Sequence, residues 1–300
     1  MRVNSSIAQK ALLVALAIAG VAGNGCGRSK RPVVVGSKDT TEQTVLGEIV
    51  AQHLEHRLGR KVVRNLGLGN TPIVYQAFSN GEIGIYPEET GTIETLILKE
   101  PLSVDAANTL DRVRSEMHRT ARGEVLDPLG IDNGWAVVIS KNADDQNNLE
   151  TIGDAAGSKR GWKPGITRDF NERADGLAML NRYRLPMRAI PFVGDPASLY
   201  EGLASGNITM VVGNLTDGPL ARHPEWRVLR DDKKTFGYYQ TCLLAQSDLL
   251  ADDPKIQPAL AELSGKFTNA DMLRMNAEVG IDHKTLADVA RQFLAQAGLK

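Results

Sequence analysis

Apolar residues fall in short bursts along this chain, and the bursts alternate between two spacings. Val33-Val34-Val35-Gly36 is a run of strand length. Thr40-Thr41-Glu42-Gln43 then has the S/T-x-x-E/Q spacing of a capping box, with Thr40 as cap. From there Val45, Leu46, Ile49, Val50 and Leu54 recur at helical spacing, which predicts a helix to about Arg57 that Gly59 ends. Lys61–Leu66 reads as a strand, Gly67-Leu68-Gly69-Asn70 as a turn and Ile73–Phe78 as a helix closed by Asn80-Gly81. Ile83–Tyr86 reads as a strand stopped by Pro87, and Thr90-Gly91-Thr92 as the opening of the next helix. This is repeated βαβ logic with short connections. It implies an α/β fold with a mostly parallel sheet covered by helices.

The alternation resumes further on. Trp135–Ser140 and Ile208–Val212 read as strands, with Ser198–Ser205 a helix between them. Tyr238–Ala245 is another strand, and helical segments follow near 254–265, 269–278 and 284–297. One internal echo stands out. Tyr75-Gln-Ala-Phe-Ser-Asn-Gly-Glu-Ile-Gly-Ile and Tyr200-Glu-Gly-Leu-Ala-Ser-Gly-Asn-Ile-Thr-Met share a helix–turn–strand layout. Each leads to a strand end carrying a threonine, Thr90 in one case and Thr216 in the other. Two similar lobes facing each other across a cleft explain the echo.

The N-terminus changes the picture of where the protein works. Arg2 and Lys10 precede the apolar run Ala11–Ala22, which is too short to span a bilayer comfortably and suits a signal-peptide core. Gly23-Asn24-Gly25-Cys26 follows, so residues 1–25 read as a signal peptide and Cys26 as a lipidation site. Ordinary cleavage leaving a free thiol is the other reading. Residues 26–32 look like a tether. Membrane attachment through lipidated Cys26, in the periplasm or at the cell surface, is the expectation.

The 300 residues are 42% apolar and 24% charged, with a formal net charge of −1. The signal segment takes basic residues with it, so the remainder is slightly acidic and offers no electrostatic case for nucleic acid. Cys26 and Cys242 are the two cysteines, which build neither a disulfide framework nor a metal pattern, and Cys242 reads as a buried small hydrophobe. His53 and His56, three apart on a helix, read as surface residues. No G-x-S-x-G, H-E-x-x-H, P-loop or C-x-x-C is present, so an enzyme is not expected. Asp175 and Asp217 form a carboxylate pair only if they converge in one cleft with perturbed pKa values.

The stretch Glu82–Thr92, Glu-Ile-Gly-Ile-Tyr-Pro-Glu-Glu-Thr-Gly-Thr, places Glu89, Thr90 and Thr92 where a strand meets a helix N-terminus, where ligands of open α/β sheets bind. It resembles the Y-P-E-Y-T-G-T signature of substrate-binding proteins of osmoprotectant ABC transporters, whose ligands are glycine betaine, choline and carnitine. The resemblance extends over about residues 33–298. Gly36-Ser37-Lys38 with Thr41-Glu42-Gln43, Gly67-Leu68-Gly69, Asp132-Asn133-Gly134-Trp135, Arg173-Ala174-Asp175-Gly176, Thr216-Asp217-Gly218 and Tyr238-Tyr239-Gln240 follow in the family's order.

The resemblance implies a two-lobed, periplasmic-binding-protein-like (type II) fold with the ligand in the cleft. Lobe one would be 33–137 plus 237–298 and lobe two 138–236, with the hinge near Ser140 and Lys234. It implies an extracytoplasmic, monomeric binder that needs no cofactor and delivers a small zwitterion or quaternary ammonium ligand to a membrane permease. The family cages a methylated ammonium in aromatic rings and holds the ligand's carboxylate with basic side chains. Lys38, Thr92 and Arg173 fall at the carboxylate positions. Trp135 and one of Tyr238 and Tyr239, with Tyr239 favoured, fall at ring positions. Glu89 and Asn214 stand where the pattern has tyrosine. Both are hydrogen-bond acceptors, which suit an N–H-bearing ammonium better than a methylated one.

Two ligand readings stand at this point. One is an amino or imino acid in a re-specified pocket. The other is a methylated ligand with Glu89 as counter-ion and a partial cage. A ligand sensor without a transport role is a third functional reading. Blander roles remain for single residues: Glu89 as a helix cap, Trp135 as core, and Arg173 paired with Glu172 or Asp175 on a solvated face.

Overall fold

Strand Val34–Gly36 (β1) lies between Val63–Asn65 (β2) and Ile85–Glu89 (β3), parallel to both. Gly123–Val125 (β4) and Thr241–Gln246 (β10) complete a five-stranded sheet in the order β2-β1-β3-β10-β4. Trp135–Ile139 (β5), Pro164–Ile166 (β6), Phe192–Val193 (β7), Met210–Asn214 (β8) and Arg227–Leu229 (β9) form a second, in the order β7-β6-β8-β5-β9. The two orders correspond strand for strand, β3 matching β8 and β10 matching β5, as the internal echo implied. The computed structural model describes residues 31–300 apart from 104, 141–147 and 160. Cys26 and the signal segment lie outside the described residues.

Each sheet is mixed rather than mostly parallel. β10 runs antiparallel to β3 and β4, and β5 runs antiparallel to β8 and β9. These are the strands that enter each sheet from the other lobe. A chain arriving by a crossing, with no covering helix behind it, enters in the opposite sense.

Both faces of each sheet are covered, which gives four apolar clusters. In the first sheet Val35, Ile85 and Leu243 pack on the helix Thr41–Leu58 (α1) and on the C-terminal helices. Its other face carries Phe78, Tyr86, Met117 and Leu244. In the second sheet Val137, Trp162, Phe170 and Val212 fill one side and Val138, Leu199, Tyr200 and Val211 the other. Alternate residues of a strand face opposite ways, so β5 and β8 each feed both clusters.

Pro87 does not stop its strand. β3 runs through it to Glu89, paired across to Leu243. Thr90 N–H donates to Gln240 O, so by the two-residue repeat of the ladder the Pro87 nitrogen faces away from β10. On that side β1 has ended at Gly36, and no donor is needed.

The chain passes between the sheets twice. The first pass is Asp132–Gly134, since Trp135 already pairs with Asn214 in the second sheet. Trp135–Val137, expected in lobe one, therefore belong to lobe two, and Ser140 lies past the crossing. The second pass is the Gly237–Gln240 stretch before β10. The two passes bridge at Asp132 and Gln240, and Asn133 N–H donates to Tyr239 O at 3.0 Å. Among the described residues no helix is long and apolar enough to cross a membrane. His53, expected on the surface, is buried and lies 2.8 Å from Ala259 O, because α1 is covered there by the C-terminal helices.

Candidate functional site

The site forms where three things converge: the first turn of α1, the end of β3 and the double crossing. Thr40 caps α1 by accepting from Gln43 N. The Gln43 side chain does not return to the cap, as a full capping box requires, but donates to Glu89 Oε1 at 2.7 Å. Helix, strand end and turn thus place Lys38, Glu42, Gln43, Glu88 and Glu89 together.

Lys38 is held by two carboxylates. Its Nζ donates to Glu88 Oε1 at 2.5 Å and Glu89 Oε2 at 2.6 Å, and all three residues are largely buried. One ammonium cannot offset two ionised carboxylates at low dielectric. Burial pushes the Glu88 carboxyl up to about 8 against the pull of Lys38. Burial opposes the charge of Glu89 too. There the Lys38 ammonium, with hydrogen bonds from Lys38 and Gln43, prevails and holds the carboxyl down at about 2. At neutral pH the trio is Lys38⁺, Glu89⁻ and a protonated Glu88. Glu89 makes no capping hydrogen bond to the helical turn that follows it. Thr92 lies buried on that turn.

A second cluster joins the lobes. Arg173 donates to Asp175 through Nε at 2.8 Å and Nη2 at 2.6 Å, a bidentate pair. The pair is buried rather than solvated: Arg173 and Asp175 side chains are 8% and 2% exposed. Burial opposes the Asp175 charge, but Arg173 and the Tyr239 hydroxyl bonded to the same carboxylate keep its pKa below the ordinary range. Thr95, from lobe one, donates to Gly91 O at 2.8 Å and lies 3.3 Å from both Arg173 Nη2 and Asp175 Oδ2. It sits on a π-helical turn, Ile93–Ile97, a distortion that recurs at functional sites.

The aromatic residues meet here. Trp135 and Tyr239 have ring centroids 6.2 Å apart in an edge contact. Of the two candidate tyrosines, Tyr239 is buried and Tyr238 is 39% exposed. The Arg173 guanidinium lies 5.5 Å from the Trp135 ring centre and 5.8 Å from that of Tyr239. Gly91 is required beside them. A Cβ there would come within 2.8 Å of Tyr238 O and of the Tyr239 ring. Asn214, opposite Trp135 in the sheet, donates to Asn133 O at 3.2 Å.

Sequence reasoning placed Lys38, Glu89, Trp135, Arg173, Asn214 and Tyr239 around this region but missed Glu42, Gln43, Glu88 and Thr95. The first two were hidden inside a helix-start signal, which accounts for Gln43 without a site. Asp175 and Asp217, imagined as a carboxylate pair, are tied to different partners. Asp217 accepts from Tyr200 OH and from Asn214 N–H, and burial pushes its pKa up.

Residues 31–296 match the family model described as the substrate binding domain of ABC-type glycine betaine transport systems. The chain belongs to this family. It is 29% identical, over 90% of its length, to a Helicobacter pylori protein named as an ergothioneine transport permease/ergothioneine binding protein, and spans 48% of that longer chain. It is 27% identical to the Listeria monocytogenes carnitine transport binding protein, covering 89% of this chain and 87% of that one. A solved glycine betaine/carnitine/choline ABC transporter structure superimposes with a TM-score of 0.80 at 25% identity, over 89% of this chain and 99% of the other. The domain is therefore a substrate-binding protein of the two-lobed type, and its relatives are named as binding and transport proteins.

Proposed function

We propose that this protein captures a small N–H-bearing zwitterion or cation in the cleft between its lobes and delivers it to a membrane permease of the ABC type. The observation that carries the ligand class is the prior occupation of both expected recognition devices. The ring pair Trp135 and Tyr239 faces the protein's own Arg173. Lys38 is matched by Glu89 within a trio that also holds Glu88. What the first turn of α1 leaves over are side-chain acceptors: Glu42 Oε1 and Gln43 Oε1 are buried without a hydrogen-bond partner among the described residues. A buried acceptor is costly until a donor meets it. A ligand N–H supplies that donor, and a trimethylated nitrogen does not.

The relatives support the transport setting, being named for ergothioneine, carnitine and glycine betaine. The N-terminal pattern supports an extracytoplasmic, lipid-anchored protein, and the family resemblance supports a monomer. No catalytic role is proposed for any residue. Ligand contacts are proposed for Glu89, Thr92, Trp135, Arg173, Asn214 and Tyr239, with Lys38 setting the charge of Glu89 and the Oε1 atoms of Glu42 and Gln43 added to the set.

Isothermal titration of the purified protein tests the ligand class, using glycine betaine, choline, carnitine, ergothioneine, proline and an amino-acid panel. Binding of an N–H-bearing zwitterion with a weak or absent glycine betaine response supports the reading. Tight binding of glycine betaine or choline overturns it.

A further inference from the structure

Thr216 Oγ1 lies 2.5 Å from Glu42 Oε2 and 2.6 Å from Asn133 Oδ1. Both neighbours are acceptors, and a hydroxyl has one hydrogen. Asn276 Nδ2 donates to the same Glu42 Oε2 at 3.0 Å and to Thr216 O at 2.8 Å, so both of its hydrogens are used. If Glu42 is ionised, one oxygen–oxygen contact at Thr216 has no hydrogen in it. A proton on Glu42 Oε2 repairs the chain. Glu42 then donates to Thr216 Oγ1, and Thr216 donates to Asn133 Oδ1.

The surroundings favour that proton. Glu42 is 5% exposed, and its other oxygen has no partner among the described residues. The charged groups acting on it are Glu89 from β3 and Asp217 from the turn after β8, both carboxylates. Lys38, the nearby cation, is committed to Glu88 and Glu89. Burial, reinforced by those carboxylates and outweighing the bonds from Thr216 and Asn276, raises the Glu42 carboxyl to about 7.

The contact spans the cleft. Glu42 and Asn276 belong to lobe one and Thr216 to lobe two. Beside it Gly218 packs so closely on the helix Asn269–Gly280 that a Cβ would meet Ala277 N and the Asn276 carbonyl carbon at 2.9 Å. Opening the lobes separates Glu42 from Thr216 and returns the carboxyl to water.

We propose that Glu42 is a positioning residue that closes the lobes only when it carries a proton, so that closure of this binding protein takes up a proton. The idea rests on the two-lobed binding reading but not on the ligand's identity. It is therefore tested without ligand, by small-angle X-ray scattering of the full chain across pH 5.5 to 8.5. The radius of gyration of the wild type should be smaller at pH 5.5 and rise through a midpoint near 7. Glu42→Gln, whose amide N–H replaces the proton, should stay compact at both ends. Thr216→Val should be open at both ends, and Thr216→Ser should restore the wild-type response. The fold of each variant is checked by circular dichroism, and the Thr216 pair and the wild-type curve decide the matter if Glu42→Gln misfolds. A wild-type radius that does not change with pH, or a Thr216→Val or Glu42→Gln variant that follows the wild-type curve, overturns the proposal. That result would mean a turned-over Asn133 amide donates to Thr216 and Glu42 stays ionised. Failure of every ligand to bind would bear on the proposed ligand class and leave this test intact.

Discussion

The Arg173 guanidinium lies 5.5 Å from the centre of the Trp135 ring while gripping Asp175 with two hydrogen bonds. Within the proposed site, a cation expected to meet a ligand's carboxylate is already held by Asp175 and lies over a ring expected to meet a ligand's cationic head. That one relationship shifts the expected specificity of the cleft, because ring surface facing an internal cation offers less to an external one.

Removing that cation should be costly. Arg173→Ala leaves Asp175 buried with the Tyr239 hydroxyl as a donor but no compensating charge. A loss of about 3 kcal/mol is expected for breaking a buried pair from one side, read as a lowered urea midpoint. The double change Arg173→Met with Asp175→Asn should recover most of it. If Arg173→Ala unfolds at the wild-type midpoint, the pair is not the buried contact described.

Glu89 and Asn214 stand at corresponding ends of β3 and β8, at the two positions where the signature this sequence resembles has tyrosine. Glu89→Tyr with Asn214→Tyr should raise glycine betaine affinity by about tenfold, since one desolvated cation–π contact contributes roughly 1–2 kcal/mol. Titration calorimetry reads it. Unchanged betaine affinity in a folded double variant would show that the cage is not rebuilt by these positions.

The pH dependence of stability has a definite sign above pH 6.5. Glu42 and Glu88 have native values of about 7 and about 8 against an ordinary 4.5. The native state then holds more protons than the unfolded state between 4.5 and those values, so stability falls as pH rises through the window. Buried His53, whose pKa is depressed from 6.5 by burial, acts in the other direction but below 6.5. Glu89, held at about 2, costs stability only as pH falls below about 4.5. Chemical denaturation from pH 6.5 to 8.5 should therefore show a steady decline, and Glu88→Gln should flatten it. A rising curve would contradict the assignment.

Gly218 presses on the backbone of the opposite lobe, so a side chain there acts as a wedge. Gly218→Val should weaken ligand binding and enlarge the radius of gyration while leaving the melting temperature nearly unchanged, since the four apolar clusters lie within the lobes. By contrast Asp282→Ala removes an exposed ion pair with Arg222 across the same face. It should change little, about 0–1 kcal/mol. A large drop in melting temperature for Gly218→Val would place the glycine in a core contact rather than at a closing face.

The local elements and their duplication were legible in the amino-acid order alone. The helix start at Thr40, the Gly59 stop, and the echo between Tyr75–Ile85 and Tyr200–Met210 follow from capping, positive-φ preference and hydrophobic period, which act within a few residues. The order of short motifs also raised the expectation that Lys38, Glu89, Thr92, Trp135, Arg173, Asn214 and Tyr239 line one cleft. Tertiary structure decided which groups pair. Lys38 meets Glu88 and Glu89 50 and 51 residues away, Thr216 meets Glu42 174 residues away, and β5 and β10 enter their sheets antiparallel from the opposite lobe. Whether a carboxylate stays charged depends on such distant neighbours and on the water they exclude. No local pattern carries that information, so the charge state of these carboxylates became readable only in the folded chain.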